Sequence, residues 1–392
     1  MRISLRKEPY IIPNYSLTGD LLAYLKCPRQ YRYYNRGALP PSTPVQLWFG
    51  EFIHGVMEES FDRWVNRRSH QIFPWNWESR IRDIETTIFR RLASRGLLPP
   101  PPLFRSYEHG KPVERRLASF RAEQAINIWG PHLFPLIVEA EVRLSATRSM
   151  PKMDQQRADY YGITGIVDVV SSVGLKTARA GNSLVARLRE VPAISRLLAE
   201  STQPFDIIVD YKGMRRPPNK TEDIDRSLWH HQEWQVQTYA WLRKLQVPDR
   251  QTVAGVILYL NELLPSVEDM RALRQDLRTG ATDVQPSASD LKVILAGTLS
   301  RKSTLALNAG FLQDRSIRIV PVGDSTIAKS LTEFDHVISE IETSLVTERA
   351  TCSIIKAWAP NPEPSTCTAC DFKYHCDGPA KNSKINRTVT VP

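Results

Sequence analysis

Long apolar runs are missing from this 392-residue chain. The densest, residues 134–138 and 253–260, are only of strand length, far below the ~18–20 residues a membrane span needs. The opening stretch Met1-Arg2-Ile3-Ser4-Leu5-Arg6-Lys7-Glu8 has no apolar core of a secretory leader. The expectation is therefore a cytoplasmic protein with no membrane partner. Cysteine is scarce, at five residues, which excludes a small disulfide scaffold and points to metal ligation or free thiols. Internal repeats are absent as well.

What remains has the composition of a folded globular chain, 42% hydrophobic and 24% charged, which excludes intrinsic disorder as a description of the whole. Lys plus Arg outnumber Asp plus Glu by 52 to 42, a net charge of +10, and this favours a polyanionic partner.

Helical spacing marks residues 16–34, 49–65, 227–245 and 327–346, and the arginine-rich stretch 66–129 reads as mostly helical around Pro99-Pro100-Pro101-Pro102. Strand signals fall at 136–144, 162–170, 205–210 and 253–260. The expected fold is α/β (α+β), a mixed sheet flanked by helices. The expected division is an N-terminal helical piece at 1–65, a helical insertion at 66–130, and a core at 131–262. An inserted region at 263–326, a C-terminal helix with cysteines at 327–378 and a loose tail at 379–392 complete it. Within the core, residues 171–204 look inserted: Lys176, Arg179, Arg187, Arg189 and Arg196 face only Glu190 and Glu200. Lying between two strands that carry Asp168 and Asp210, this stretch is expected to emerge near those acids and to serve phosphate contacts to a polyanion such as DNA, through Arg187, Arg189 and Arg196, or a partner protein. The alternative is a packed amphipathic helix whose Leu184, Leu188, Leu197 and Leu198 cover the sheet.

Cys367-x2-Cys370-x5-Cys376 places three thiolates within reach of one metal or cluster. Cys27, in Lys26-Cys27-Pro28-Arg29, is the candidate fourth ligand, with a local zinc knuckle completed by His375 as the alternative; Cys352 is spare.

Three D-x-K motifs occur: Asp210-Tyr211-Lys212, Asp290-Leu291-Lys292 and Asp371-Phe372-Lys373. Metal-dependent phosphodiester hydrolysis needs carboxylates for Mg²⁺ or Mn²⁺ and a lysine beside the attacking water. On a strand, residues two apart share a face, so D-x-K suits both tasks. Asp290 reads as a helix N-terminal residue and Asp371 lies among the cysteines, which leaves Asp210 at the end of a buried strand. Asp168, in Gly165-Ile166-Val167-Asp168, supplies a second carboxylate, and Gln235 and Tyr239 share one helical face downstream.

In chain order, Cys27-Pro28-Arg29, Gly50-Glu51-Phe52-Ile53-His54, Gly165-Ile166-Val167-Asp168, Asp210-Tyr211-Lys212, Gln235-x3-Tyr239 and the three C-terminal cysteines resemble the PD-(D/E)XK nuclease superfamily. The similarity is to its RecB-like branch with an iron–sulfur staple, which includes AddB and the CRISPR-associated RecB-like exonucleases. It covers about half of the chain. It implies a restriction-endonuclease-like core and a catalytic Mg²⁺ or Mn²⁺ held by His54, Asp168, Asp210 and the carbonyl of Tyr211. It further implies Lys212 as the transition-state cation, Gln235 positioning it, and Tyr239 on the DNA backbone. Cys27, Cys367, Cys370 and Cys376 would hold a [4Fe–4S] cluster, with zinc the less favoured occupant. The separations His54 to Asp168 and Asp168 to Asp210, 114 and 42 residues, are long for compact members.

The implied function is a DNA nuclease acting on ends or single strands, in repair, recombination or defence, beside a helicase or integrase. The alternative is a non-cutting DNA-binding scaffold that keeps the cluster for stability. A zinc-stapled RNA-processing protein finds no RNA-binding motif in the chain.

Overall fold

The computed structural model describes residues 12–35, 45–105, 115–153, 157–174, 181–200, 203–219, 228–362, 366–367, 370–374 and 376–378. Lys176, Arg179, His375 and the tail 379–392 lie outside the described residues.

Six strands form one mixed sheet flanked by helices: β1 (Asn14–Ser16), β2 (Ile137–Ser149), β3 (Tyr160–Val173), β4 (Phe205–Lys212), β5 (Thr252–Tyr259) and β6 (Ile317–Pro321). Their order is β1-β3-β4-β5-β6, with β2 on β3. Pairing alternates along this path: β1 with β3 and β4 with β5 are parallel, while β3 with β4 and β5 with β6 are antiparallel. β4 and β5 are buried nearly throughout, as strands covered on both faces are; β5 is apolar almost end to end, whereas β4 carries Asp206, Asp210 and Lys212. The parallel step from β4 to β5 runs through the helix Leu228–Gln246. Gly255 of β5 is what lets that helix sit so close, since a Cβ there would stand 2.5 Å from Val236.

The chain divides into two compact units. The larger comprises residues 43–142 and 166–327, the smaller residues 1–42, 143–165 and 328–392. Residues 1–65, expected as one piece, thus fall into both.

In the larger unit, the helix Val45–Asn66 contributes Phe52, Ile53, Val56 and Met57 to a core shared with Ile207 and Val209 of β4. Residues 171–204 do not form a separate basic insertion. The helices Ser183–Glu190 and Pro192–Glu200 bury Leu184, Val185, Leu188 and Ile194 in this same core, because an apolar stripe beside a sheet is worth more buried than exposed. Nor are residues 263–326 wholly inserted. Their helices Val267–Arg278, Ala288–Leu295 and Ala309–Arg315 enclose a small core of Met270, Leu273, Ile294 and Phe311, yet the same stretch supplies β6 to the main sheet.

In the smaller unit, the long helix Asp324–Thr351 meets the strands through charge: Arg148 pairs with Asp335 at 2.6 Å, and Arg157 with Glu342 at 2.6 Å. Residues 16–34 do not form one helix. β1 ends at Ser16, a π-helical turn spans Leu17–Leu22, and Cys27 is extended (φ −167°, ψ 111°) between the helices Ala23–Lys26 and Pro28–Asn35. Pro28 accounts for the break, because its ring disfavours helical backbone at the residue before it.

Among the described residues no helix is long and apolar enough to cross a membrane.

Candidate active site

β3 and β4 pair antiparallel with Val169 opposite Val209, so Asp168 and Asp210 stand one residue beyond that pair on neighbouring strands. Asp168 accepts the backbone N–H of Tyr211 at 2.7 Å and lies 3.2 Å from His54 Nδ1. Asp210 Oδ2 lies 2.6 Å from Lys212 Nζ, and its Oδ1 accepts from Gln235 Nε2 at 3.2 Å. Lys212 also donates to Gln235 Oε1 at 2.9 Å. All of these residues belong to the larger unit. The Tyr211 contact with Asp168 is made by its backbone N–H.

The two carboxylates are pushed apart electrostatically. Burial alone would raise Asp168, but the charge and hydrogen bond of His54, the Tyr211 N–H and Lys212 hold it below its ordinary value. Asp210 is raised by burial and by the like charge of Asp168, against the pull of Lys212. His54 is pulled down by burial, yet Asp168 and Asp210 outweigh this and raise it to about 9.

Tyr239 does not face a DNA backbone. It is 2% exposed, and its hydroxyl accepts from Gln235 Nε2 at 3.2 Å. Its ring is large enough to fill the space under the helix, so it is drawn into the core.

One further acid escaped the sequence motifs. Glu141 of β2 takes φ +52°, a left-handed conformation uncommon outside glycine. Although Glu141 is exposed, the protein crowding its carboxyl, and then the charges of Asp168 and Glu58, push it up to about 7. The alternation of residues 136–144 placed Glu139 and Glu141 on one strand face, but could not distinguish them. Glu139 is taken up by Arg243 at 2.5 Å.

The donors gathered here are oxygens and one imidazole, a set suited to Mg²⁺ or Mn²⁺. Asp210 Oδ2 is buried without a hydrogen bond of good geometry, despite the ammonium beside it. By donor chemistry the residues fit a hard divalent ion. Among the described residues no three His, Cys, Asp or Glu side chains are arranged as a closed chelate; here the carboxylates are paired with His54 and Lys212.

The smaller unit holds the cysteines. Cys27, Cys367, Cys370 and Cys376 line one cavity together with Arg29 and Phe372. Cys352 is exposed with its sulfur against the Arg349 carbonyl. Arg29 is 3% exposed. It donates to the Trp358 carbonyl at 3.0 Å and the Ile355 carbonyl at 3.1 Å, pairs with Asp377, and reaches Cys376 Sγ at 3.9 Å. The backbone N–H of Asn361 points at Cys27 Sγ, 3.4 Å away. A buried guanidinium and an amide beside soft sulfurs offset the negative charge of thiolate ligands, so this cradle fits a metal or cluster.

Arg187, Arg189 and Arg196 stand elsewhere. Their segment leaves β3 at Val173 and rejoins β4 at Phe205, a pair five residues along β3 from Asp168, or about 17 Å at strand rise. An antiparallel connection joins the strand ends opposite the acids, so it does not emerge at the cleft. Arg187 pairs with Glu190 at 3.0 Å and with Asp314, and Arg189 and Arg196 are exposed. Asp290 sits in the first turn of its helix, with its N–H on Ser287 Oγ at 3.2 Å, and Asp371 accepts from Tyr34 at 2.6 Å.

No family model and no curated protein matches the chain. A solved structure described as "Crystal structure of SSO0001" is similar at 10% identity, over 93% of this chain and 99% of that one, with a TM-score of 0.23.

Proposed function

We propose that this chain is a metal-dependent deoxyribonuclease of the PD-(D/E)XK type, RecB-like, with a restriction-endonuclease-like core and an iron–sulfur staple. The observation that carries the proposal is Lys212 held between Asp210 and Gln235, beside Asp168 and His54. Asp168, Asp210, His54 and the Tyr211 carbonyl would hold Mg²⁺ or Mn²⁺, which supplies Lewis acidity toward a phosphate and lowers the pKa of water.

The chain's own contribution is positional. An ammonium has three donors. Asp210 and Gln235 face two of them, leaving one for the attacking water or a phosphate oxygen. Gln235 cannot turn over cheaply, because both hydrogens of its Nε2 are spent, on Asp210 and Tyr239. Its Oε1 is thereby committed to Lys212. A cation so fixed stabilises charge that develops only in the transition state, without reorganisation at that moment.

Cys27, Cys367, Cys370 and Cys376 would carry a [4Fe–4S] cluster, with zinc the less favoured occupant. Its part is structural, tying the first helices to the C-terminal segment. DNA, as ends or single strands, is the proposed substrate, in keeping with the net charge of +10.

The test is cleavage of end-labelled single- and double-stranded DNA with Mg²⁺, Mn²⁺ or EDTA, using cluster-loaded protein. Metal-dependent cutting that disappears in Lys212→Ala supports the proposal. DNA binding without cutting under all metals would replace it with the scaffold role.

A further inference from the structure

Helix Val45–Asn66 carries Glu51, His54, Gly55 and Glu58 along one seam, and helix Arg82–Ser94 lies against it. Ion pairs link the two segments along this seam: Arg63 to Asp83 at 2.7 Å, Arg91 to Glu58 at 3.1 Å, and Arg95, just past the helix end, to Glu51 at 3.0 Å. Arg91 differs from Arg95 in two respects. Its Nη2 rests over Gly55, the residue next to His54, where a Cβ would stand 2.5 Å from that nitrogen. Ile88 shares this seat, at 3.1 Å from the same position. The charge of Arg91 also acts on Glu141, whose carboxyl feels Asp168 and His54 as well. Glu58 lies one helical turn from His54 on the same face, so its pair with Arg91 sets Arg91 at the edge of the candidate site.

We propose that Arg91 is a substrate-phosphate contact for the site built on Asp168, Asp210 and Lys212, seated there by Gly55. The proposal rests on the nuclease reading above and extends it to a residue outside every sequence motif.

The electrostatic reason is local. Asp168, Asp210, Glu141 and Glu58 make the site acidic, and an incoming phosphodiester is an anion. Lys212 has one donor left beside Asp210 and Gln235, and His54 is held by Asp168. Arg91 is 48% exposed and its pair to Glu58 uses Nη2, leaving further donors of its five-donor fork for a phosphate. An exposed ion pair contributes little to stability, so holding the fold does not account for a guanidinium at this place. A mid-helix glycine is a weak helix former, and here it leaves room for the Arg91 guanidinium on the seam that carries Glu58.

The experiment measures binding of a fluorescent single-stranded oligonucleotide in EDTA across a salt series, alongside Mg²⁺-dependent cleavage. Arg91→Gln should weaken binding about tenfold and make the salt dependence shallower by roughly 0.7 in slope, one phosphate contact on a single strand. Arg91→Lys should keep the slope while recovering only part of the affinity. The double variant Glu58→Gln/Arg91→Gln should stay as weak as Arg91→Gln alone. If the double variant regains wild-type affinity, Arg91 merely neutralises Glu58 and the proposal is overturned. Unchanged affinity and slope in Arg91→Gln, with cleavage still dependent on Lys212, overturns the Arg91 role and leaves the nuclease reading standing. Wild-type protein that neither binds nor cuts DNA overturns both.

Discussion

Gln235 Oε1 accepts a hydrogen bond from Lys212 Nζ at 2.9 Å, joining the end of β4 to a helix 23 residues further along the chain. The amide is pinned from its other side by Tyr239, one helical turn on, so the lysine is aimed by a helix face rather than by its own flexible stem.

Lys212→Ala should lower cleavage by at least ~10²–10³-fold, the scale of removing one preorganised charge donor, while the melting temperature hardly moves. Gln235→Leu should cost less, and Tyr239→Phe less again, since each acts through the lysine. Single-turnover rates at saturating DNA, with melting curves beside them, check the ranking. A Lys212→Ala protein that cuts at the wild-type rate, while Asp290→Ala or Lys292→Ala does not, would move the site to the other D-x-K.

The His54–Asp168 pair gives a pH dependence. His54 is raised from 6.5 to about 9 in the folded chain. The stability it contributes is therefore complete below pH 6.5 and lost as pH rises through about 9. Asp168 is lowered, so its contribution is present above the ordinary carboxylate range and lost on acidification. In EDTA, the melting temperature of the wild type should fall relative to His54→Gln between pH 6.5 and 9. Metal affinity should rise across the same window, because a ligating imidazole must release its proton. Parallel pH profiles for the two proteins would contradict the pair.

Anaerobically purified protein should be brown and contain about four irons per chain, as a cubane cluster requires. Cys27→Ser should lose iron together with solubility, because binding energy at such a site is also folding energy. Cys352→Ser, exposed and away from the cavity, should change neither. Iron analysis and visible absorbance are the measurements; stoichiometric zinc without iron would identify a four-ligand zinc site instead.

Glu262 and Arg315 form a pair at 2.7 Å with side chains 4% and 3% exposed. Glu262 also accepts the backbone N–H of Arg216 at 2.7 Å. Glu262→Ala should cost about 3–5 kcal/mol, because it strands a buried guanidinium, and a denaturant titration reads this directly. A loss below ~1 kcal/mol, the range of exposed pairs, would mean that water reaches Arg315.

Replacing Arg187, Arg189 and Arg196 with Gln should leave the salt slope of DNA binding unchanged, since their helices cover the core and lie away from the acids. A slope reduced by two or more would restore them as phosphate contacts.

Much of the sheet was legible in the chain. β5 is a near-continuous apolar run and β4 has an apolar centre, and a run of strand length with turns on both sides has few other folds available. The choice of Asp210 over Asp290 and Asp371 was legible for the same reason: only Asp210 closes such a run. Cys27 was readable as a thiolate but not as a helix break, although Pro28 carried that signal.

Charge patterns misled where burial decides. Residues 171–204 count as basic in one dimension, yet Leu184, Leu188 and Ile194 face the core and Arg187 is taken by Asp314, 127 residues away. Tyr239 was placed correctly on the face of Gln235 but its depth was not, because helical periodicity gives direction and says nothing of what lies above it.

By itself, then, the amino-acid order determined where the four longer strands β2 to β5 lie and which residue types share a strand or helix face, because those periodicities are set by local backbone geometry. Only the tertiary structure decided that Asp168 and Asp210 stand on adjacent strands, that Gln235 faces Lys212, that Glu141 joins their field, and that Arg91 lies over Gly55. Each of these depends on strand pairing or helix packing across tens of residues, where a one-residue shift in register would turn a side chain to the opposite face.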